Sequence, residues 1–188
     1  KAHVNQIKIK DDRGYYHPMD IMNVIYNCCD QELLAVLQSK LYVSRVALPF
    51  ILPEPKTNSY SGLLWSLQSI IPELKTELKA DSENLADIKQ PVISFLRMSE
   101  LERSKSKLLN QLFGERLPDT FYHRDCPCGS LKRTISNGTV ELACNLPSNT
   151  KNSNFEQFFT VLNLRGNSLE FRNQVECMIE ISSLVVIF

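Results

Sequence analysis

Lys105 and Ser106 are the residues whose types and position point most directly to chemistry. They stand at the head of a run with apolar residues at helical spacing, and an apolar, β-favouring run from Val92 to Leu96 precedes them. The order strand, polar loop, Lys-Ser, helix is that of a phosphate-binding P-loop, whose lysine reaches the terminal phosphates and whose serine hydroxyl contacts Mg²⁺. Residues 99–106 keep this spacing, with serine at both glycine positions. We therefore predict a modified phosphate-binding loop. The alternative is a plain helix N-terminus, capped by Ser104, with Lys105 in solvent.

A second motif, Asn163 to Gly166, follows another apolar run and has the form N-x-x-G. P-loop GTPases end a strand with D-x-x-G, where the aspartate holds Mg²⁺ through water and the glycine amide contacts the terminal phosphate. Here the glycine is kept and asparagine replaces the aspartate. Alone, the motif is only a strand-end turn. Its place after Lys105, beyond an aperiodic loop over 115–130 that is typical of a switch segment, supports the phosphate-binding interpretation.

Composition limits the classes of function. The chain has 188 residues, 43% of them hydrophobic and 22% charged, which allows a real core. The formal net charge of zero does not favour bulk attraction to nucleic acid or to an acidic membrane surface. No run approaches the roughly 18 to 20 apolar residues that span a bilayer, and the first residues do not have the pattern of a signal peptide.

The six cysteines suit neither a disulfide framework nor a paired zinc site. Cys126 and Cys128, with His123 nearby, form the one suggestive cluster, but a C-x-C pair lacks the usual C-x-x-C spacing. Free thiols in a reducing cytosol are the expected state.

The elements that must position Lys105 and Asn163 follow from periodicity and turn signals. Residues 17–20 predict a helix start with proline in the first turn, and Asp30 predicts the N-cap of a second helix. The apolar run 46–52, interrupted by Pro49, predicts buried packing, and residues 62–78 resume a helical pattern. The charged stretch 79–90 is the best candidate linker. We thus divide the chain into a helical region, 1–90, and an α/β region, 91–188.

The second region alternates strands and helices, which implies an α/β sheet with ligands at the carboxyl ends of the strands. Asn137-Gly138 predicts a hairpin between residues 132–136 and 139–146. Residues 168–181 predict a helix, and 183–188 a buried parallel strand. A chain that stops inside a sheet suggests a fragment.

These motifs together resemble the family of interferon-induced very large GTPases and up-regulator of cell proliferation proteins. The resemblance covers nearly the whole chain and is carried by His17–Asp20, Val46–Pro53, Leu64–Leu67, Ser104–Asn110, Phe121–Asp125, Ile135–Gly138 and Asn163–Gly166. It implies a large cytosolic or nuclear GTPase, with residues 1–90 preceding the G domain and 91–188 forming the first half of its sheet. It also implies GTP and Mg²⁺ as ligands, and self-association through G domains.

The resemblance assigns roles to particular residues. GTP would be bound by Ser99, Ser104, Lys105, Ser106, Lys107, Asn163 and Gly166. Mg²⁺ would be bound by Ser106 and by a switch threonine, either Thr120 or Thr134. Arg103 is the candidate arginine finger; the alternative is a solvated charge flanked by Glu100 and Glu102.

The departures from consensus predict weak or absent hydrolysis. Serine at the two glycine positions adds a β-carbon where the backbone must approach phosphate, and Asn163 brings no charge to a metal. The first hypothesis is a GTP-binding module, and the second is a nucleotide-free pseudo-GTPase that acts as an interaction scaffold. A third places a self-association surface on the helical region 17–78. The guanine-reading motif would follow a later strand, so guanine rests on the resemblance alone.

Overall fold

The computed structural model describes residues 14–54, 59–63, 68, 70, 89–99, 104–113, 119–145 and 158–188. The helices in these ranges are α1 (Pro18–Cys28), α2 (Gln31–Val43), α3 (Lys105–Phe113) and α4 (Arg172–Ile181), and a 3₁₀ turn spans Ser168–Glu170. The strands are β1 (Leu48–Pro53), β2 (Tyr60–Gly62), β3 (Val92–Leu96), β4 (Val140–Asn145), β5 (Phe159–Leu164) and β6 (Leu184–Ile187). None of the described helices is long and apolar enough to cross a membrane.

The two N-terminal helices begin at side chains that cap free backbone amides. His17 Nδ1 accepts a hydrogen bond from Met19 N at 3.1 Å, and Pro18 occupies the first helical position. Asp30 Oδ1 accepts from Leu33 N at 2.8 Å. Both helix starts predicted from the sequence are therefore confirmed.

The six strands form one mixed sheet in the order β2-β1-β4-β5-β3-β6. β3 runs parallel to β5 and β6, whereas β4 is antiparallel to β5 and to β1. The predicted α/β class is confirmed. The predicted helical region also contributes two strands to this sheet, so strands from both sides of position 90 are paired with each other. The domain boundary stays a prediction, and residues 79–88 of the proposed linker lie outside the described residues.

Residues 48–52 of the apolar run 46–52 lie in β1 and are buried as predicted, whereas Val46 is exposed. Pro49 cannot donate to a strand ladder, and the register with β4 shifts between Pro49 and Ile51. Because the strand pairing is already irregular at this point, the missing amide hydrogen of Pro49 does not remove a regular ladder hydrogen bond. The predicted helical pattern over 62–78 lies mostly outside the described residues, and Gly62 ends β2.

The predicted hairpin at Asn137-Gly138 is wrong. Gly138 does adopt the positive φ of a tight turn, +87°. However, its amide donates to Arg165 O, and the Arg165 amide donates to Thr139 O, each at 2.8 Å. The strand after the turn, β4, therefore pairs with β5 and not with residues 132–136. β5 and β1 give β4 a buried partner on each side, which the polar residues 132–136 could not provide.

Phe171 closes over two glycines with positive φ. Gly166 has φ +94°, and a β-carbon there would lie 2.9 Å from the Phe171 ring. A β-carbon at Gly138 would lie 2.6 Å from the same ring. The space and the backbone conformation both require glycine at these positions.

The final strand corrects a second prediction. β6 is parallel to β3, as expected, but it lies at the edge of the sheet and is not buried. Leu184 and Ile187 are each 54% exposed, since β3 is its one neighbour in the described sheet.

The core lies on both faces of the sheet. Successive residues of β5 alternate between two clusters: Val161 packs with Leu109 of α3, and Leu162 packs with Met178 of α4. Helices α3 and α4 thus cover opposite faces. This arrangement brings the start of α3 to the carboxyl ends of β3 and β5.

Candidate functional site

A cavity of about 250 Å³ opens at the carboxyl ends of β3 and β5. The first turn of α3, the end of β5, residues 122–133 and His17 surround it. The described part of its lining has five lysine or arginine side chains and no carboxylate; the basic residues are Arg97, Lys105, Arg124, Arg133 and Arg165. The cavity lies at the edge of the sheet where the sequence predicted a ligand site, and the ligand site itself stays a prediction.

Lys105 points into the protein and not into bulk solvent, with 6% of its surface exposed. Its Nζ donates to the carbonyl oxygens of Phe95 and Leu164, each at 2.7 Å. Burial lowers the pKa of this amine to about 7; the carboxylate of Glu141 opposes the shift, and the guanidinium of Arg165 adds to it. The alternative of a solvated lysine at a plain helix N-terminus is therefore wrong.

Arg133 is the second notable cation of the cavity. Burial lowers its pKa to about 10, with further contributions from the positive charges of Arg165 and Arg97, so it stays charged at neutral pH. His17 lies nearby, and burial together with Arg133 lowers the pKa of its imidazole to about 4. The imidazole is therefore neutral, as its role as a hydrogen-bond acceptor for α1 requires.

A buried polar network lies behind Lys105. Asn163 Nδ2 donates to Ser106 Oγ at 3.2 Å and to Glu141 Oε2 at 2.8 Å. Arg165 Nη2 pairs with Glu141 Oε1 at 2.7 Å and also donates to Tyr122 O at the same distance. Both oxygens of the Glu141 carboxylate therefore accept hydrogen bonds from side chains inside the protein.

The residues present do not fit a magnesium ion held by the protein. Magnesium takes oxygen ligands in octahedral geometry, usually with one or two carboxylates. Among the described residues, no group of three histidine, cysteine, aspartate or glutamate side chains could hold a metal ion, and the nearby carboxylate, Glu141, is already paired. Ser106 Oγ faces the amide hydrogens of Asn163.

The structure brings some of the predicted site residues together. Ser104, Lys105, Ser106 and Gly166 line the cavity, and Asn163 contacts Ser106 from behind. Residues of both sequence motifs therefore lie at or next to the cavity.

Other predicted residues lie away from the cavity. Ser99 is exposed, and Lys107 pairs with Asp125 on the surface at 2.5 Å. Thr120 is buried beside a separate small cavity, and Thr134 donates its backbone amide to Asp20 Oδ2 at 2.7 Å. These positions assign neither Thr120 nor Thr134 as the switch residue. Arg103 lies outside the described residues.

Sequence reasoning missed several side chains of the site. Arg97 directly follows β3, and Arg165 lies within the N-x-x-G motif, so their places in the sequence could have indicated them. No local signal marks Glu141 or Arg133, which are brought in by pairing between distant segments. His17 was identified only as a helix start.

Helix α1 holds the segment that carries Arg133. The Asp20 carboxylate accepts from the backbone amides of Thr134, Ile135 and Ser136 at 2.7 to 3.2 Å. Asn23 Nδ2 donates to Thr139 Oγ1 at 2.9 Å. Residues far upstream of the cavity thus fix one of its walls.

Comparison with known proteins identifies the family of this chain. The model of the up-regulator of cell proliferation-like domain matches residues 16–188. Interferon-induced very large GTPase 1 of Mus musculus is 29% identical over 182 residues, which are 92% of this chain and 8% of that protein. Caspase recruitment domain-containing protein 6 of Homo sapiens is 32% identical over 198 residues, covering 100% of this chain and 19% of that protein. Up-regulator of cell proliferation of Bos taurus is 32% identical over 181 residues, covering 91% and 19% respectively. The chain thus spans a small part of these relatives, and no solved structure matches it significantly.

Proposed function

Because the chain belongs to the up-regulator of cell proliferation-like domain family, we propose that it forms a GTP-binding module of the very large GTPase type. One observation supports this most directly. The Lys105 amine is buried beside a cationic cavity at the start of α3, where the strands β3 and β5 end. A helix N-terminus and a buried amine both favour an anion, and phosphate is the anion that this arrangement suits best.

The choice of guanine comes from the relatives. Two of the matched proteins are named interferon-induced very large GTPases. The proposal is thus carried by the phosphate site, and the preference for GTP over other nucleotides rests on family membership. A cytoplasmic or nuclear location and self-association through G domains belong to the same proposal.

Hydrolysis is proposed to be weak or absent. The asparagine at position 163 directs its amide hydrogens toward Ser106 and Glu141, and an amide carries no charge to attract a metal. Without a fixed metal, the charge that develops on a transferred phosphoryl group must be stabilised by basic side chains alone.

A nucleotide-free scaffold is the second candidate. It is favoured by the two hydrogen bonds that Lys105 makes to Phe95 O and Leu164 O, since these satisfy part of the amine without any ligand. On this view the lysine is a structural residue that links α3 to two strands.

Titration of fluorescently labelled GTP against the purified protein tests the proposal. We expect saturable binding below about 1 mM, displaced by unlabelled GTP and weakened by Lys105→Ala. Lys132→Ala is the matched control, because Lys132 is exposed beside the cavity wall. Thermal unfolding of each variant separates lost affinity from lost fold. Absence of binding in the folded wild type would favour the scaffold.

A further inference from the structure

We infer that Arg97 and Arg133 neutralise the phosphate charge in this cavity, so that it accepts a polyphosphate without magnesium. This inference rests on the proposed phosphate site and specifies its ligand. It concerns the form in which a nucleotide binds: the free anion, and not its complex with a divalent cation.

Arg97 is held at the edge of the cavity by its own backbone. Its carbonyl oxygen accepts from Ser168 N at 2.7 Å and from Ser168 Oγ at 2.8 Å, which fixes the chain just after β3. Its side chain lines the cavity, and its buried Nε has no hydrogen-bond partner in the described structure. A buried donor without a partner costs free energy, and an anion in the cavity could supply the missing acceptor.

Arg133 lines the cavity from a different segment of the chain. Its backbone neighbours, Thr134 to Ser136, are anchored on the Asp20 carboxylate, so the arginine projects from a fixed segment. Within the described ranges, its guanidinium makes no hydrogen bond or ion pair with a side chain. The carboxylates of Glu141 and Asp20 act on this charge, but neither forms an ion pair with it in the described structure.

The charge balance favours a free polyphosphate. Glu141 pairs with Arg165, and Asp125, which lies 3.9 Å from Arg124, pairs more closely with the exposed Lys107. Among the described lining residues, Lys105, Arg97 and Arg133 make no ion pair with a carboxylate. A phosphate monoester carries about −1.5 to −2 charges at neutral pH, so two or three cations suit a terminal phosphate. A divalent cation placed among them would be repelled.

The position next to Ser106 is also poor for magnesium. The Asn163 amide group directs hydrogens, and not an oxygen, at the Ser106 hydroxyl. The Lys105 amine lies next to this hydroxyl in the chain and donates to the last carbonyl of β5. Arginine forks bind phosphate oxygens in two parallel hydrogen bonds and can replace the metal as the source of positive charge.

The experiment is a titration of labelled GTP and of inorganic tripolyphosphate, each in excess Mg²⁺ and in excess EDTA. We expect the dissociation constants in EDTA to lie within about threefold of those in Mg²⁺, or below them. Arg97→Ala and Arg133→Ala should each weaken binding in EDTA by about tenfold or more, and lysine at either position should restore part of it. Lys132→Ala should leave binding unchanged. Unfolding curves of the variants confirm that the fold is kept.

The outcomes separate this inference from the proposed function. Binding that is at least tenfold weaker in EDTA, or that survives both arginine substitutions, overturns the inference and leaves GTP binding in place. Tripolyphosphate binding in EDTA that is lost on substitution of the arginines, without any preference for GTP, supports the inference and overturns the guanine assignment. Binding of neither ligand in either buffer overturns both.

Discussion

The Lys105 amine lies 2.7 Å from the carbonyl oxygen of Leu164, the last residue of β5. This bond joins the first turn of α3 to the strand that carries the N-x-x-G motif. The two motifs recognised in the sequence therefore meet through this bond and through the bond from Asn163 Nδ2 to Ser106 Oγ, and they meet at the wall of the cationic cavity. Several measurable properties depend on the charge of this amine and on the groups around it.

The first prediction concerns the pH dependence of anion binding. The pKa of Lys105 is about 7 in the free protein, and a bound phosphate would raise it by favouring the charged form. Binding above pH 7 must then be accompanied by proton uptake. We expect the affinity for tripolyphosphate to fall by up to about tenfold per pH unit between pH 7 and 9, as titrations at fixed ionic strength would measure.

Lys105→Arg is the control for that experiment, because arginine stays protonated over the whole range. The fall in affinity between pH 7 and 9 should be absent or much reduced in this variant. An equal slope in wild type and variant would show that another group takes up the proton.

The second prediction concerns the Glu141–Arg165 pair, which is buried and joined at 2.7 Å. Glu141→Gln leaves the arginine charge without its partner, and we expect the free energy of unfolding to fall by about 3 to 5 kcal/mol. Urea denaturation would measure the change. Replacing both residues by apolar ones of similar volume should restore much of the loss.

The matched control is Arg172–Glu176, an exposed pair one helical turn apart at 2.8 Å. Arg172→Ala should change stability by no more than about 0.5 kcal/mol, since water screens both charges. Comparable losses at the two pairs would contradict the view that burial makes the first one important.

The third prediction concerns Asp20, whose carboxylate accepts three backbone hydrogen bonds from the segment next to Arg133. Asp20→Ala should lower stability, measured by urea denaturation, by about 2 kcal/mol or more, because three backbone amides lose a charged acceptor. It should also weaken binding of tripolyphosphate, since the segment that carries Arg133 is released.

Asp30→Ala provides the comparison, because Asp30 caps α2 on the exposed surface. We expect a loss of about 1 kcal/mol and an unchanged affinity for the anion. If Asp20→Ala left the affinity unchanged as well, Arg133 would not depend on α1 for its position.

The fourth prediction concerns His17. Its pKa is lowered to about 4 in the folded protein, so the unfolded chain binds more protons between pH 6.5 and 4. This residue therefore makes the protein less stable as the pH falls through that window. His17→Asn keeps a side-chain acceptor for Met19 N and cannot titrate; its melting temperature should fall less on acidification than that of the wild type. Parallel profiles would rule out His17 as the source.

Local sequence patterns were sufficient to predict the helices and strands that carry the motifs. Periodicity and capping residues predicted the starts of α1 and α2, and β3 was predicted from Val92 to Leu96, as observed. The position of Lys105 at the start of α3 followed from the P-loop spacing. These features depend on neighbouring residues, which a single sequence displays.

The remaining features depend on pairing across long distances. β4 pairs with β5 and with β1, and the burial of Glu141 follows from that pairing together with the approach of Arg165. The depth of Lys105 also required knowing which carbonyls lie next to it. The Asn-Gly sequence predicted the turn conformation of Gly138, but it could not indicate which strand would pair with β4.

The Phe171 ring has a consequence for how this protein can change over generations. It occupies the space where side chains at Gly138 and Gly166 would begin. A β-carbon at either position would clash with the ring. A smaller residue at position 171 would remove this clash, although the positive φ at both positions would still favour glycine. Variation at the three positions should therefore be correlated across descendants, with substitutions at either glycine accumulating only in lineages where the aromatic ring has already been lost.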